Sequence, residues 1–482
     1  MYISTRGLDS KPASKAIVQG LAKDGGLFII DNMPQIDFDK KWLKLSYKEV
    51  AFRILRLFLE DFTDDEINEA IKGAYSKANF PDGEVAFDLK KDFGFLNLYN
   101  GPTFAFKDMA LTILPYLLDI SKKKNEINEK TVILTATSGD TGSAALSGFK
   151  QIPGNNVIVL YPNDVVSKIQ EAQMLSFKAS NTYPIAVNGN FDDCQRAVKE
   201  IFSKVSVAGI SLSSANSINI GRLVPQIVYY YYSYITLVKK RKIKFGDKIN
   251  VSVPTGNFGN ILACYIAKLS GLHIGKIICA SNENNVLTEF FETGVYNANK
   301  EFKVTNSPSM DILVSSNLER YLYLITKDPF YINELMTNLN KNGYYEVNDK
   351  VKEELKNMLA SYVSQEETTL AIKECYKNHK ILIDPHTAVA YQAYLDKKAE
   401  LDGYTLVVST ASPYKFSNTI KEALDLKDSA DEFEVIDNIK KVSKWPVDTR
   451  ILALKNQENK KDVWGKEDIL NNVLDILGKI SC

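Results

Sequence analysis

VSVPTGNFGNILACYIAKLSG, residues 251 to 271, is a β-branched run that breaks on Gly-Asn-Phe-Gly-Asn and continues with helical spacing and no early charge. A strand feeding a helix through a glycine turn is the opening of a parallel βα unit. The turn carries chemistry as well as shape. Glycine lets the backbone approach a ligand, and the first N–H groups of a helix, at the positive end of a macrodipole of roughly +0.5 charge, need an acceptor. Gly256, Asn257, Phe258, Gly259 and Asn260 are therefore candidates for holding a phosphate without a basic side chain. Standing alone, the segment is also an ordinary strand-to-helix turn. It is not a P-loop, because no Lys-Ser or Lys-Thr pair follows.

Outward from this point the same grammar repeats. TVILTAT (131–137), NVIVLYP (156–162) and TYPIAVNG (182–189) precede helical stretches on one side; KIICASN (276–282) and TLVVSTAS (405–412) read as strands on the other. Strands alternating with helices at this spacing predict an α/β fold of two open twisted sheets flanked by helices. The Tyr-rich helical stretch 221–240 separates the two groups, with a ligand cleft expected between them. Ahead of both, SYKEVAFRILRLFLEDF and TDDEINEAIKGAYSKANF predict two helices, with Thr63 and Glu66 at capping-box spacing. The expected organisation is a mostly helical N-terminal domain (1–95), a smaller α/β lobe (96–235) and a larger α/β lobe (236–482) with a C-terminal appendage closing over it. Residues 300–380 read as helical and charged.

Composition removes several function classes. Lys+Arg and Asp+Glu balance at 59 each, which leaves no overall field for nucleic acid or an anionic membrane. The N-terminus MYISTRGLDS has no signal-peptide pattern and no apolar run is long enough to cross a bilayer, so a cytoplasmic protein is expected, as a monomer or homodimer. Five scattered cysteines imply reduced thiols, and three isolated histidines make neither a metal site nor a His-based triad.

Other turns offer complementary chemistry. TATSGDTGSAALSGF gathers Thr137, Ser138, Asp140 and Thr141 at a helix start, suited to a carboxylate, although Ser and Asp there are also ordinary caps. LSSANSINIGRLVPQ places Asn216, Ser217 and Arg222 where a guanidinium, an amide and a hydroxyl can grip a phosphate. Lys107, in GPTFAFKDMALTILPYLLD, stands where an apolar helical pattern begins. A partly buried lysine favours its neutral amine, the form that condenses with an aldehyde. Together these pieces describe a pyridoxal phosphate enzyme acting on a phosphorylated amino acid.

Seven segments in order, YISTRG, GPTFAFKD, TSGDTGSAA, NSINIGR, VPTGNFGN, DPHTAVA and STASPYKF, make the chain resemble the threonine synthase family, in the form with an extended N-terminal domain. The resemblance implies the pyridoxal phosphate fold type II, similar to tryptophan synthase β. It implies that Lys107 holds the cofactor and then moves protons, and that 256–260 bind the cofactor phosphate. Asp140 is expected near the ring oxygen and Thr410 at the pyridine nitrogen. Thr137, Ser138 and Thr141 would bind the substrate carboxylate, and Asn216, Ser217 and Arg222 its phosphate. No metal is implied. The implied activity is a lyase converting O-phospho-L-homoserine and water to L-threonine and phosphate. A threonine-synthase-like phospholyase, a serine/threonine dehydratase and a catalytically silent regulatory relative are the alternatives. The family reads HGPT where this chain has Asn100, and TAHPAKF where it has Ser412 and Tyr414; His386 is expected to be structural.

Overall fold

The strand Ile249–Pro254 lies inside a six-stranded sheet, with Ile274–Ser281 and then Met358–Tyr362 on one side and Thr405–Ser409, Phe93–Asn97 and Ala86–Leu89 on the other. The computed structural model describes every residue of the chain except Ser138, Gln151, Asp428, Ala430, Glu458, Asn459 and Cys482. All neighbouring pairs in this sheet are parallel except the Ala86–Leu89 edge. Ile249–Pro254, Phe93–Asn97 and Thr405–Ser409 are buried at every position, the pattern of strands covered on both faces. Helix Pro385–Lys397 lies across one face and buries Ala388, Val389 and Ala390.

A second sheet of five parallel strands runs in the order Asp462–Gly465, Thr182–Asn188, Asn155–Pro162, Lys130–Ala136, Ile210–Ser213. The predicted βα grammar accounts for its three central strands. Helix Pro225–Lys239 carries Tyr229, Tyr230, Tyr231 and Tyr234 fully buried, with their hydroxyls paired, and ties the leading helices to the larger sheet.

The leading residues contain the two predicted helices, Tyr47–Phe58 and Asp64–Ala74, and Thr63 and Glu66 form the expected capping box. They also contain a three-stranded antiparallel sheet of Ser10–Lys11, Tyr2–Ser4 and Phe28–Ile30. The boundary expected at 95 falls within the strand Phe93–Asn97, which belongs to the larger sheet. Gly94 interrupts the apolar pattern there because the Tyr404 hydroxyl occupies the space of a side chain, 2.6 Å from where a Cβ would lie. The C-terminal appendage also divides differently. Helix Glu432–Ser443 packs on the larger lobe through Val435, Ile436 and Ile439, but Asp462–Gly465 extends the smaller sheet and helix Ile469–Ser481 buries Ile469, Val473 and Leu477 against it. The charged 300–380 region supplies Met358–Tyr362, an edge strand of the larger sheet, among its helices.

Candidate active site

Local chemistry in GPTFAFKD aims Lys107. Thr103 donates to Asp108 from its backbone N at 2.8 Å and from Oγ1 at 2.7 Å, folding the Gly-Pro turn back onto the short helix Asp108–Leu111. Burial pushes the Asp108 carboxyl up to about 6 against those two hydrogen bonds. Phe106 N donates to Thr410 O at 2.8 Å and Ser412 N to Phe104 O at 3.0 Å, stitching the turn to the end of strand Thr405–Ser409. Gly101 has to be glycine, because a Cβ there would lie 2.5 Å from the Asp108 Cβ. Gly101→Ala is expected to cost about 1–3 kcal/mol by overpacking, read as a lower urea midpoint at unchanged slope.

Lys107 opens into a cavity of about 330 Å³ that is also lined by Thr141, Asn216, Ser217, Arg222, Thr410 and the whole 256–260 turn. The candidates from four distant turns, and Thr410, therefore converge on one space. Burial lowers the Lys107 ammonium to about 8; Asp140, 3.6 Å away, opposes the shift, while Lys415 and Arg222 add to it. Asp140 accepts from Lys415 Nζ at 2.5 Å, from Gln170 Nε2 at 3.2 Å and from Ser309 Oγ at 3.2 Å. Burial alone would raise that carboxyl, but Lys415 first and Lys107 second hold it well below the usual range. Both of its oxygens thus face donors of the protein.

The titration predicts a pH profile. Below about 8 Lys107 is mostly ammonium, so attachment of pyridoxal phosphate to apoprotein should speed up about tenfold per pH unit and level off above about 8. In Lys415→Met, with one like charge gone, the plateau should begin at higher pH; stopped-flow absorbance reads both.

The phosphate-cradle geometry is found at 256–260. Phe258, in the left-handed region with φ 62°, is the N-cap of helix Gly259–Leu269, and no side chain caps that helix. Asn260 accepts from the Tyr229 and Tyr230 hydroxyls at 2.6 Å each, while its buried Nδ2 has no partner. Uncapped N–H groups beside an orphaned amide donor form an acceptor-seeking pocket. Across the cavity Arg222 is 4% exposed and donates to Ala215 O at 2.6 Å, with Nε unpartnered. Burial lowers it to about 10, with no carboxylate beside it among the described residues.

The carboxylate turn is placed unevenly. Thr141 lines the cavity, but Thr137 Oγ1 accepts from Gly139 N and Gly142 N at 3.0 Å each, so Thr137 shapes the turn and does not line the space. Ser138 lies outside the described residues. Asn100 donates to Gly83 O at 3.0 Å and Tyr414 to Trp445 O at 2.6 Å; neither they nor Ser412 line the cavity. Sequence reasoning named no role for Ser309, whose hydroxyl accepts from Lys107 Nζ at 3.3 Å, or for Lys415. His386, expected to be structural, does line the cavity: its Nε2 accepts from Ser309 N at 3.1 Å while Nδ1 meets Asp384 Oδ1 at 2.7 Å. Lys415 was recoverable from STASPYKF and His386 from DPHTAVA; Ser309 carries no local signal.

Residues 1–75 match the family model "Threonine synthase N terminus", and residues 95–412 match "Pyridoxal-phosphate dependent enzyme". A threonine synthase of Schizosaccharomyces pombe is 38% identical over 88% of this chain and 89% of its own. The chain belongs to the threonine synthase family. The crystal structure of a pyridoxal-phosphate-bound threonine synthase from Brucella melitensis superposes on this family member with a TM-score of 0.89, at 31% identity, covering 100% of this chain and 99% of that one. The human protein threonine synthase-like 1 is also 38% identical over 89% of this chain, which spans 61% of that protein. The fold is thus the type II fold of pyridoxal phosphate enzymes, and pyridoxal phosphate is the family cofactor.

Proposed function

We propose that the protein makes L-threonine from O-phospho-L-homoserine and water, releasing phosphate. The observation that carries this reading is Arg222, a buried cation without an acidic partner among the described residues, in the same cavity as Lys107. Leaving a guanidinium buried and unpaired is costly, and a substrate phosphate offsets that cost by charge-assisted hydrogen bonds.

The residues fit pyridoxal phosphate. The unpartnered Asn260 Nδ2 and the uncapped N–H groups of Gly259–Leu269 would hold its phosphate, Lys107 would reach its aldehyde, and the Thr410 hydroxyl would face the pyridine nitrogen. Pyridoxal phosphate supplies an electron sink for negative charge developing on the substrate carbons. Lys107, titrating near 8, would carry protons one at a time. It would take the Cα proton and give it up to the electron sink, then take a Cβ proton as phosphate leaves Cγ and deliver it to Cγ. The oxygen of water would then add at Cβ, its proton going to the released phosphate, and Lys107 would return the stored proton to Cα. Arg222, with Asn216 and Ser217, holds that phosphate before and after the C–O bond breaks. Thr141, with Ser138, in the turn whose shape Thr137 sets, holds the substrate carboxylate. Asp140, which has both oxygens on protein donors, keeps Lys415 and Lys107 in place beside the ring oxygen. Four described cysteines are buried and unbridged, which suits the reducing cytoplasm.

Incubating the holoenzyme with O-phospho-L-homoserine in ¹⁸O-water tests the reading: threonine carrying ¹⁸O at its hydroxyl is expected. Release of 2-oxobutyrate in its place would favour the phospholyase alternative.

A further inference from the structure

The YISTRG motif and the segment Asn317–Arg320 have no part in the site described so far, yet they meet behind both anion pockets. Arg320 is fully buried, and its guanidinium donates to Phe28 O at 2.9 Å, to Ile218 O and to Asn317 Oδ1 at 2.5 Å. Asn317, also fully buried, donates from Nδ2 to Asn257 O at 2.8 Å and to Ser217 Oγ at 3.2 Å. The neighbouring Glu319 accepts from Arg6 Nη2 at 2.7 Å and from the Thr5 hydroxyl, so the STRG residues pin the start of helix Leu318–Thr326.

Donor chemistry fixes the direction of this chain. Arginine has donors only, so the oxygen of the Asn317 amide must face Arg320 and its NH₂ must face Ser217 and Asn257. The Asn257 carbonyl, an acceptor only, demands the same orientation. Ser217 Oγ is therefore held as an acceptor from behind, and its one proton is left for an acceptor in the cavity that Ser217 lines.

We propose that Asn317, oriented by Arg320, is a positioning residue that turns the Ser217 hydroxyl into a dedicated donor to the substrate phosphate and so helps to set the preference for a phosphorylated substrate. This rests on the assignment of Ser217 and Arg222 to that phosphate. Asn317→Asp keeps the side-chain shape but reverses the polarity: Arg320 still has an acceptor, Ser217 now donates backward, and Asn257 O loses the side-chain donor but keeps the backbone N–H of residue 317 at 3.1 Å.

The test uses holoenzymes and inorganic phosphate as the probe, by titration calorimetry, alongside steady-state kinetics. Asn317→Asp should weaken inorganic phosphate about tenfold and raise KM for O-phospho-L-homoserine similarly, with kcat within about twofold. Ser217→Ala should lose a like amount, and the double variant no more than either single one, because both remove the same hydrogen bond. Should the carboxylate prevent folding, Asn317→Ala, which frees the hydroxyl to rotate, should still weaken phosphate several-fold and should likewise add nothing in the Ser217→Ala background. Unchanged phosphate affinity, or losses that add, would overturn the proposal. If the parent holoenzyme binds no phosphate, or Arg222→Met binds it as well as the parent, the phosphate-site assignment itself has failed; if only the Asn317 variants match the parent, the failure belongs to this inference alone.

Discussion

Arg222→Met is expected to raise KM for O-phospho-L-homoserine by about 100-fold or more while the apoprotein unfolds at a higher temperature than the parent. The two effects have one cause. Arg222 is 4% exposed, and its guanidinium, among the described residues, makes one hydrogen bond, to Ala215 O, and faces no carboxylate. Two charge-assisted hydrogen bonds to a phosphate at roughly 1.5–3 kcal/mol each account for the affinity. Without the phosphate the same guanidinium is a buried charge that the fold must tolerate. Because burial lowers its titration to about 10, the penalty is fully present below that pH, where Arg222 is charged in both the folded and unfolded chain. An apolar side chain of similar length removes it, for a gain of about 1–3 kcal/mol. Kinetics and thermal melts on the same sample decide the matter. A variant with parental KM would remove Arg222 from the substrate site.

Lys107→Ala is the second large expectation, a fall of about 10³–10⁴-fold in kcat, since one amine serves as anchor and as proton carrier. The fold should survive. Below about 8 the buried ammonium is charged in the folded and the unfolded chain alike, so its desolvation is a penalty on the fold that removing it relieves, and Asp140 retains Lys415 at 2.5 Å when Lys107 is removed. A circular-dichroism melt at or above that of the parent, with turnover all but lost, is the expected pair of results. Appreciable turnover in Lys107→Ala would move the proton carrier elsewhere, with Ser309 and Lys415 the groups within reach of the same carboxylate.

The elements legible in the sequence are those whose cause is local. The strand and turn of VSVPTGNFGN, the Thr63 capping box and the βα runs of the smaller sheet each announce themselves within a dozen residues. Phe93–Asn97 escapes because Gly94 makes room for Tyr404, and Met358–Tyr362 because a short edge strand between helices has little pattern of its own. Asp462–Gly465 joins a sheet whose other strands end some 250 residues earlier, at Ser213, a pairing no local signal encodes.

The site follows the same rule. Gly256–Asn260, Arg222 and Lys107 sit in motifs that carry their own chemistry, and they converge on one cavity. Ser309 reaches Lys107 across 202 residues of chain, and Asn317 reaches Ser217 across 100, so both become visible only when the lobes are assembled. Thr137 shows the opposite error. A hydroxyl at a helix start looks free in sequence, but its own turn consumes it through Gly139 N and Gly142 N.

The central claim is that the Lys107 amine, and no other, meets the aldehyde of a cofactor whose phosphate is seated on the Gly256–Asn260 turn. Borohydride reduction of the protein loaded with pyridoxal phosphate, followed by peptide mass mapping, measures this directly. The predicted result is one stable adduct, on Lys107, that disappears when Asn260 is replaced by Asp and the cradle turns negative. An adduct on Lys415 or on a surface lysine, or one on Lys107 indifferent to the charge at residue 260, would contradict it.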